Sequence, residues 1–427
     1  MTTIRILITL ALHHNWSIRQ LDVSNAFLHG DLPDEVYMKQ PPGFIDAQYP
    51  GHVCKLHKSL YGLKQSPRQW FQKLTKFLQI SGFIFSKADP SLLIYNNGTS
   101  RIFVLIYVDD ILVTGNNPDI INSLLQKLNS EFQLKQLGDI SLFLGIQVTK
   151  TSTGYFLSQP HYATKLLQTS GFANCKPART PMATPNSKCR SPSSPFEDPT
   201  LYRKIAGSLQ YLSITRPDIA FATNAACQHM QSPTTAHFQS LKRILRYIKG
   251  TSKLGMHITK GSLQLKAYVD ADWASDQTDW KSISGHCMFL GNNLVSWSVK
   301  KQITVAKSST EAEYRALSAA TSEVLWLRRL LAELQLPQKS PTQIFCDNTS
   351  AIALANNPVF HARMKHIEID YHFISGHLQS GAIGISHISS TDQTADILTK
   401  PLSEKRFNIL HSKLTIRLPD DQFAGDC

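Results

Sequence analysis

Two unbroken apolar runs flank a pair of acids in the N-terminal part of the chain. Ile102, Phe103, Val104, Leu105, Ile106, Tyr107 and Val108 form the first run, and Ile111, Leu112, Val113 and Thr114 form the second. Both are rich in β-branched and aromatic residues, so the pattern predicts two strands meeting at Asp109 and Asp110. Asn96, Asn97 and Gly98 supply turn chemistry, which makes Ser91 to Tyr95 a strand leading in. Upstream, Ile6 to Leu12 reads as a helix opened by Thr2 or Thr3, and Ile18 to His29 reads as a strand pattern in which Asp22 interrupts apolar residues. Trp70, Leu74, Phe77 and Leu78 have helical spacing and predict a helix across Ser66 to Phe83, opened by Ser66-Pro67 and stopped by Gly82. Ile121, Leu124, Leu125 and Leu128 predict another over Pro118 to Phe132, and Leu142 to Val148 reads as a further strand.

The pattern then changes. Prolines 177, 181, 185, 192, 195 and 199 make a packed core unlikely between Asn174 and Thr200, which reads as a linker. Beyond it Leu241, Ile244, Leu245 and Ile248 share one helical face, while Lys242, Arg243, Arg246 and Lys249 lie away from it. A solvated face and a phosphate-gripping face both fit that stripe. From Gln264 onward the patterns fit a strand ending near Asp270, a helix through Glu311, a strand ending near Asp347 and a helix through Asp396.

The 427 residues allow two or three domains with sizeable cores. Lys plus Arg number 44 against 31 Asp plus Glu, a net charge of +13 that favours a polyanionic partner such as nucleic acid. The seven cysteines (54, 175, 189, 227, 287, 346 and 427) are scattered and lack paired Cys-x-x-Cys spacing, which points to a reducing compartment and no zinc site. No apolar run reaches membrane-spanning length, and the N-terminal one has no small-residue cleavage site, so the sequence predicts an unsecreted protein without a membrane partner. Adjacent carboxylates between two buried strands repel each other, so Asp109 and Asp110 require a compensating positive charge, for which a divalent metal is the natural candidate.

Four motifs in order carry a family resemblance: LDVSNAFLHGDL with VYMKQPPGF, then KSLYGLKQSPRQW, then YVDD at Tyr107 to Asp110. In this order they resemble the reverse transcriptase of copia-type LTR retrotransposons. The later blocks LQLKAYVDADWASD, KSSTEAEYRALS, IFCDNTSAIALANN and TADILTKPL resemble the ribonuclease H domain that follows it. The resemblance implies an α+β polymerase palm, with a ferredoxin-like antiparallel sheet and helices, then a mostly helical connection and an α/β ribonuclease H-like domain. The expected boundaries are 1–170 for the palm, 171–200 for the linker, 201–260 for thumb or connection helices, 261–405 for the ribonuclease H-like domain and 406–427 for a C-terminal tail.

The same resemblance implies Mg²⁺ or Mn²⁺, two ions per active site, held about 4 Å apart by converging carboxylates. Asp22, Asp109 and Asp110 are the expected ligands for nucleotidyl transfer, and Asp270, Glu311, Asp347 and Asp396 those for RNA hydrolysis. Asp272 and Glu313 lie two positions beyond Asp270 and Glu311, and spacing alone leaves the choice within each pair open. His387 matches a mobile histidine near the departing product, a task suited to a group whose charge changes near neutral pH. Phe27 matches the residue set against the sugar of the incoming nucleotide, and a core phenylalanine fits it equally. Gly62 and Lys64 match a loop bordering nucleotide and template; Leu144 and Gly145 match a primer-grip strand, where Gly145 lets a backbone come close or marks a bulge. Lys242, Arg243, Arg246 and Lys249 are the expected primer–template contacts. The stretch His361 to Phe373 reads as a helix of the family rather than a metal site.

The expected function is RNA-directed DNA polymerase with ribonuclease H, acting on an RNA template, a DNA primer, RNA–DNA hybrid and deoxynucleoside triphosphates, within a cytoplasmic particle or the nucleus. The sequence starts immediately before the Asp22 motif, so the family's preceding fingers and their triphosphate-clamping cations are expected to be missing. A truncated relic with ribonuclease H alone, and a non-catalytic nucleic-acid-binding fragment, are the alternatives. The oligomeric state is not legible.

Overall fold

The computed structural model describes residues 1–184, 193–276, 278–357 and 367–419. The chain divides into two compact units, residues 13–144 and residues 1–12 with 145–427. Among the described residues, no helix is long and apolar enough to cross a membrane.

The first helix, α1 (Thr2–His14), contributes its first turns to the larger unit. Its residues Ile4 to Ala11 are buried on every side, the signature of a core helix rather than an amphipathic one. Arg5 lies in that core: its guanidinium donates to the carbonyls of Val295 at 2.9 Å and Ile214 at 2.7 Å and stacks 4.0 Å from the Trp297 ring. Burial pushes its pKa down to about 9.

The unit of residues 13–144 contains β1 (Ile18–Val23), the hairpin β2 (Asp31–Lys39) and β3 (Val53–Lys58), α2 (Ser66–Ile80), β4 (Ile84–Phe85), β5 (Leu92–Asn96), β6 (Arg101–Tyr107), β7 (Asp110–Gly115), α3 (Pro118–Phe132), β8 (Leu134–Asp139) and β9 (Leu142–Phe143). Six strands form one sheet in the order β4-β5-β6-β7-β1-β8, antiparallel throughout. The apolar stripes of α2 and α3 (Trp70, Leu74 and Leu78; Ile121, Leu124, Leu125 and Leu128) join the sheet residues Leu21, Val104, Ile106, Ile111 and Val113 in one core. Each helix has a proline in its first two positions, Pro67 and Pro118, where no backbone partner is needed, and the Asn117 side chain caps α3 by accepting from Asp119 and Ile120. The strand carrying Asp22 stops at Val23, not His29; Asn25 turns left-handed at φ 53° and a short 3₁₀ turn, Ala26–His29, follows. Leu142 to Val148 is likewise not one strand, because Leu144 and Gly145 both take positive φ.

The larger unit holds β10 (Ile146–Lys150), β11 (Gly154–Ser158), α4 (Pro160–Thr169), α5 (Pro199–Leu212), α6 (Ala220–Cys227), α7 (Thr235–Thr251) and β12 (Gly255–Thr259). After these come β13 (Leu265–Asp272), β14 (Ile283–Leu290), β15 (Asn293–Lys301), α8 (Ser309–Glu333), β16 (Thr342–Cys346), α9 (Thr349–Asn356), α10 (Glu368–Gln379), β17 (Ile383–His387), α11 (Glu404–Lys413) and β18 (Ile416–Arg417). Residues 145–169 group here, whereas the sequence reading ran the first domain to residue 170, because β10 and β11 extend the antiparallel sheet of β12 and β18. A second sheet has the order β15-β14-β13-β16-β17, antiparallel on the β15 side and parallel on the β17 side. Among the described residues, the expected tail from residue 406 is instead mostly α11 and β18, with Phe407, Leu410 and Leu414 buried; residues 420–427 lie outside the described residues. Of the predicted stretch His361 to Phe373, residues 361–366 lie outside the described residues and α10 starts at Glu368.

The Pro-rich linker packs at both described ends. Ala178 donates to the Arg246 carbonyl at 3.1 Å, Thr180 is buried, and Phe196 stacks on Phe238 with centroids 4.1 Å apart. A proline-rich chain forms no ladder of its own, so its backbone groups and small side chains are open to capture by a neighbouring helix. Residues 185–192 lie outside the described residues.

One buried ion pair ties three segments of this unit. Arg216 grips Asp218 through Nε and Nη2 at 2.9 and 2.8 Å and the Thr251 carbonyl at 2.7 Å. Tyr247 donates to Asp218 at 2.8 Å, and His411 lies 3.7 Å from it. Burial raises the Asp218 pKa, but Arg216 and His411 outweigh it and hold the carboxyl well below the usual range. Asp218→Ala strands the Arg216 guanidinium in the core, so chemical denaturation is expected to show a loss of about 3–5 kcal/mol. An unchanged unfolding midpoint would count against the network.

Candidate active sites

The first acid cluster is built by strand register. Asp22 on β1 lies directly opposite Asp110 on β7, and Val23 donates to the Asp109 carbonyl at 3.1 Å. Tyr107 pairs with Asp110, leaving Val108 and Asp109 as a two-residue hairpin loop. Val108 adopts φ 59°, a left-handed conformation unfavourable for a β-branched residue, in a turn that normally favours glycine. The fully buried Trp70 holds it, donating its indole N–H to the Val108 carbonyl at 2.7 Å. Burial raises the Asp110 pKa, and the charges of Asp109 and Asp22 raise it further, so the three carboxylates share one field. Nearby, Phe27 on the 3₁₀ turn packs against Tyr61 with centroids 4.7 Å apart. Tyr61 opens the exposed loop that carries Gly62, at φ 95°, and Lys64.

The second cluster assembles on the mixed sheet. Asp270 on β13 is fully buried; ligand oxygens of Asp270, Asp347 and Asp396 all lie within 4.8 Å of one another. Asp347 directly follows β16, and Asp396 sits on a short 3₁₀ turn, Thr394–Leu398, where the sequence predicts a helix. Glu313 on α8 joins Asp347 and the Cys346 thiol in a second overlapping group of the same tightness. Burial, with the charges of Asp270 and Asp347, pushes the Glu313 carboxyl up to about 9, and burial holds Asp272 at about 6. His387, exposed at the end of β17, pairs in register with Cys346 beside Asp347, and Ser390 donates to Asp347 at 2.8 Å.

A cation already sits in this cluster. The Lys400 ammonium lies 3.0 Å from one oxygen of Asp270 and 3.0 Å from one oxygen of Asp396. Thr399 donates to the other Asp270 oxygen, and Arg406 lies 3.1 Å from the other Asp396 oxygen. The accommodated ammonium and the oxygen-rich donor set fit a hard divalent ion such as Mg²⁺ or Mn²⁺, with Asp270, Asp347, Asp396 and Glu313 as its holders.

Residues 1–184 match the family model described as reverse transcriptase (RNA-dependent DNA polymerase). The chain is 49% identical over 98% of its length to the retrovirus-related Pol polyprotein from transposon RE1 of Arabidopsis thaliana, of which it spans 29%. It is 38% identical over 96% of its length to the corresponding polyprotein from transposon TNT 1-94 of Nicotiana tabacum, spanning 32% of that protein. The putative transposon Ty5-1 protein of Saccharomyces cerevisiae is covered in full, at 31% identity over 71% of this chain. The chain belongs to the Pol polyproteins of copia-type transposons. It spans about a third of the first two of these Pol relatives.

Several residues expected at the Pol sites stand elsewhere. Glu311 does not face Asp270 and Asp347: it accepts from the Lys307 backbone at 2.8 Å and pairs with Arg315 at 2.6 Å. Two residues on a helix turn through about 200°, so only one of Glu311 and Glu313 can look at the sheet, and it is Glu313. The basic stripe of α7 is engaged by the chain itself. Arg243 donates to Thr180 at 2.9 Å, Arg246 donates to the Lys176 carbonyl at 2.8 Å, and Lys242 lies 4.7 Å from the Phe238 ring centroid; Lys249 is exposed. Gly145 takes φ 72°, a conformation that side-chain-bearing residues rarely adopt, and a Cβ there would also press on the Tyr211 hydroxyl. Leu144 precedes it at φ 51°, so the pair forms a turn and not a flat strand. Lys400 escaped the sequence reading, although its place four residues after Asp396 was a visible signal.

The Glu313 shift has a testable sign. Between its ordinary value of 4.5 and about 9 the folded state holds a proton that the unfolded state releases, so stability falls as pH rises through that window. In metal-free buffer, Glu313→Gln is expected to gain stability over the parent from pH 5 to pH 8, and to match it below the unfolded pKa. Denaturation curves with a pH-independent difference would contradict this.

Proposed function

We propose that the chain is an RNA-directed DNA polymerase with ribonuclease H activity. The observation that carries this reading is the convergence of Asp270, Asp347 and Asp396 within 4.8 Å, with Glu313 adjoining, on a mixed sheet whose antiparallel and parallel halves share β13. We read the larger unit's mixed sheet as ribonuclease H-like and the six-stranded antiparallel sheet as a polymerase palm of ferredoxin-like type.

In the palm, Asp22, Asp109 and Asp110 hold the divalent ions, and the Trp70–Val108 hydrogen bond keeps the turn that presents two of them. Phe27, braced by Tyr61, stands as a wall against the sugar of an incoming deoxynucleoside triphosphate, with Gly62 and Lys64 in the loop beside it. In the second site, Asp270, Asp347, Asp396 and Glu313 hold the ions and orient the scissile RNA phosphate of a hybrid. His387, exposed beside Asp347, is placed to pass a proton as product leaves. Bound Mg²⁺ or Mn²⁺ supplies an activated oxygen nucleophile and charge stabilisation at both sites. The partners are then an RNA template, a DNA primer and their hybrid, which suits the net charge of +13. The five described cysteines are free, in keeping with an intracellular particle or the nucleus.

Cleavage of labelled RNA in an RNA–DNA hybrid with Mg²⁺ tests the second site. Asp347→Asn and Glu313→Gln are each expected to cost at least about 100-fold, the scale of losing one charge-stabilising group, and Glu311→Gln far less. Primer extension on an RNA template, lost in the Asp109→Asn, Asp110→Asn double variant, tests the palm. Cleavage without extension leaves a ribonuclease alone, and neither activity leaves a nucleic-acid-binding relic.

A further inference from the structure

We propose that Lys400 is a resident counter-ion of the second acid cluster, occupying a bridging place that a divalent cation takes over when it binds. The inference deepens the two-metal reading above and rests on it. Asp270 is fully buried and has no water to screen it, so its charge must be answered within the protein. The answer is Lys400, with its ammonium 3.0 Å from both Asp270 and Asp396, while Thr399 takes the remaining Asp270 oxygen. These two carboxylates belong to the group of oxygens that lies within 4.8 Å together with Asp347. A divalent ion bridging them would stand in contact with the ammonium, and like charges at that range repel strongly in a partly buried site. The two cations therefore compete for one place.

The surroundings give Lys400 somewhere to go. Its side chain is 33% exposed, whereas that of Asp270 is wholly buried, so the lysine tip can leave toward solvent while the acids stay. Among the described residues, the other ionisable side chains facing the cluster are the carboxyls of Asp272, Glu313 and Asp347 and the guanidinium of Arg406. Arg406 remains on the far oxygen of Asp396 and does not share the bridging place. Lys400 thus holds mutually repelling acids in a metal-ready arrangement and lowers metal affinity by the same contact.

The test reads metal binding directly, without nucleic acid. Mn²⁺ is titrated calorimetrically into the full chain carrying Asp109→Asn and Asp110→Asn, which removes two ligands of the palm cluster; Asp347→Asn added to this parent identifies the heat of the second site. On the same parent, Lys400→Gln is expected to bind Mn²⁺ about tenfold more tightly and to melt at lower temperature without metal, whereas Lys400→Arg, which keeps the charge, stays within about twofold of the parent. Lys400→Gln binding no more tightly overturns the inference and leaves the metal reading intact. A parent that takes up no Mn²⁺ overturns both. The wild-type chain supplies a check that needs no foldable variant: acetylation of the Lys400 amine, read by mass spectrometry, is expected to rise severalfold when Mn²⁺ is added. Labelling that stays level or falls overturns the proposal.

Discussion

Carboxylates that must stand together repel each other, and much of this structure answers that constraint. Asp270 has no exposed surface, yet Asp347 and Asp396 bring oxygens within 4.8 Å of it. Such an arrangement is tolerable only when protons, hydrogen bonds or cations neutralise it. All three devices appear: Glu313 retains its proton to about pH 9, Thr399 donates to Asp270, and Lys400 bridges Asp270 and Asp396. The acids and their supports come from four separate segments of the chain, β13, α8, the end of β16 and residues 396–400, so the cluster exists only in the folded unit.

The first cluster meets the same demand with a lighter structure. Its acids lie at the end of a hairpin and on the adjoining strand, partly open to water, and burial with the neighbouring carboxylates raises the pKa of Asp110. The strain is in the backbone instead. Val108 is held left-handed while a buried tryptophan anchors its carbonyl. A residue in that conformation persists only where its surroundings over-determine it, and Trp70, packed among α3 and sheet residues, provides the anchor. Away from both clusters, the Arg216–Asp218 pair joins the 3₁₀ turn Pro217–Ile219, α7 and α11. At these buried places charge is matched by charge at short range, whereas buried Arg5 is held by backbone carbonyls and the Trp297 ring.

Some of this was legible in residue order, and the reasons differ by element. The YVDD hairpin announced itself because two apolar runs interrupted by two acids can hardly be anything else, whereas Asp22 stood out only through the LDVSNAFLHGDL motif of the family resemblance. Helices α2 and α3 were equally plain, since their apolar stripes and opening prolines are local features. Glu313 was not separable from Glu311, because both stand on one helix and neither spacing nor composition says which way that helix is rolled. The basic stripe of α7 fitted a solvated face and a phosphate-gripping face alike, and in the fold Arg243 and Arg246 hold the segment from Lys176 to Thr180. A proline-rich stretch looks detached in sequence because it forms no regular element, but its carbonyls still accept hydrogen bonds from a passing arginine.

The sequence by itself determined the strands of the YVDD hairpin and the helices α2 and α3, the order of the acids along the chain, the family to which it belongs and the metal chemistry those acids suit. These properties are carried by periodicity and by local motifs, which do not depend on where distant segments come to rest. Tertiary structure decided the rest: that Glu313 and not Glu311 meets Asp270, that β10 and β11 join the sheet of β12, that Gly145 must remain glycine beneath Tyr211, and that Lys400 is the cation of the second cluster. Electrostatic and steric effects of this kind act over a few ångströms. Residues far apart in sequence acquire them only when the fold sets their side chains in contact.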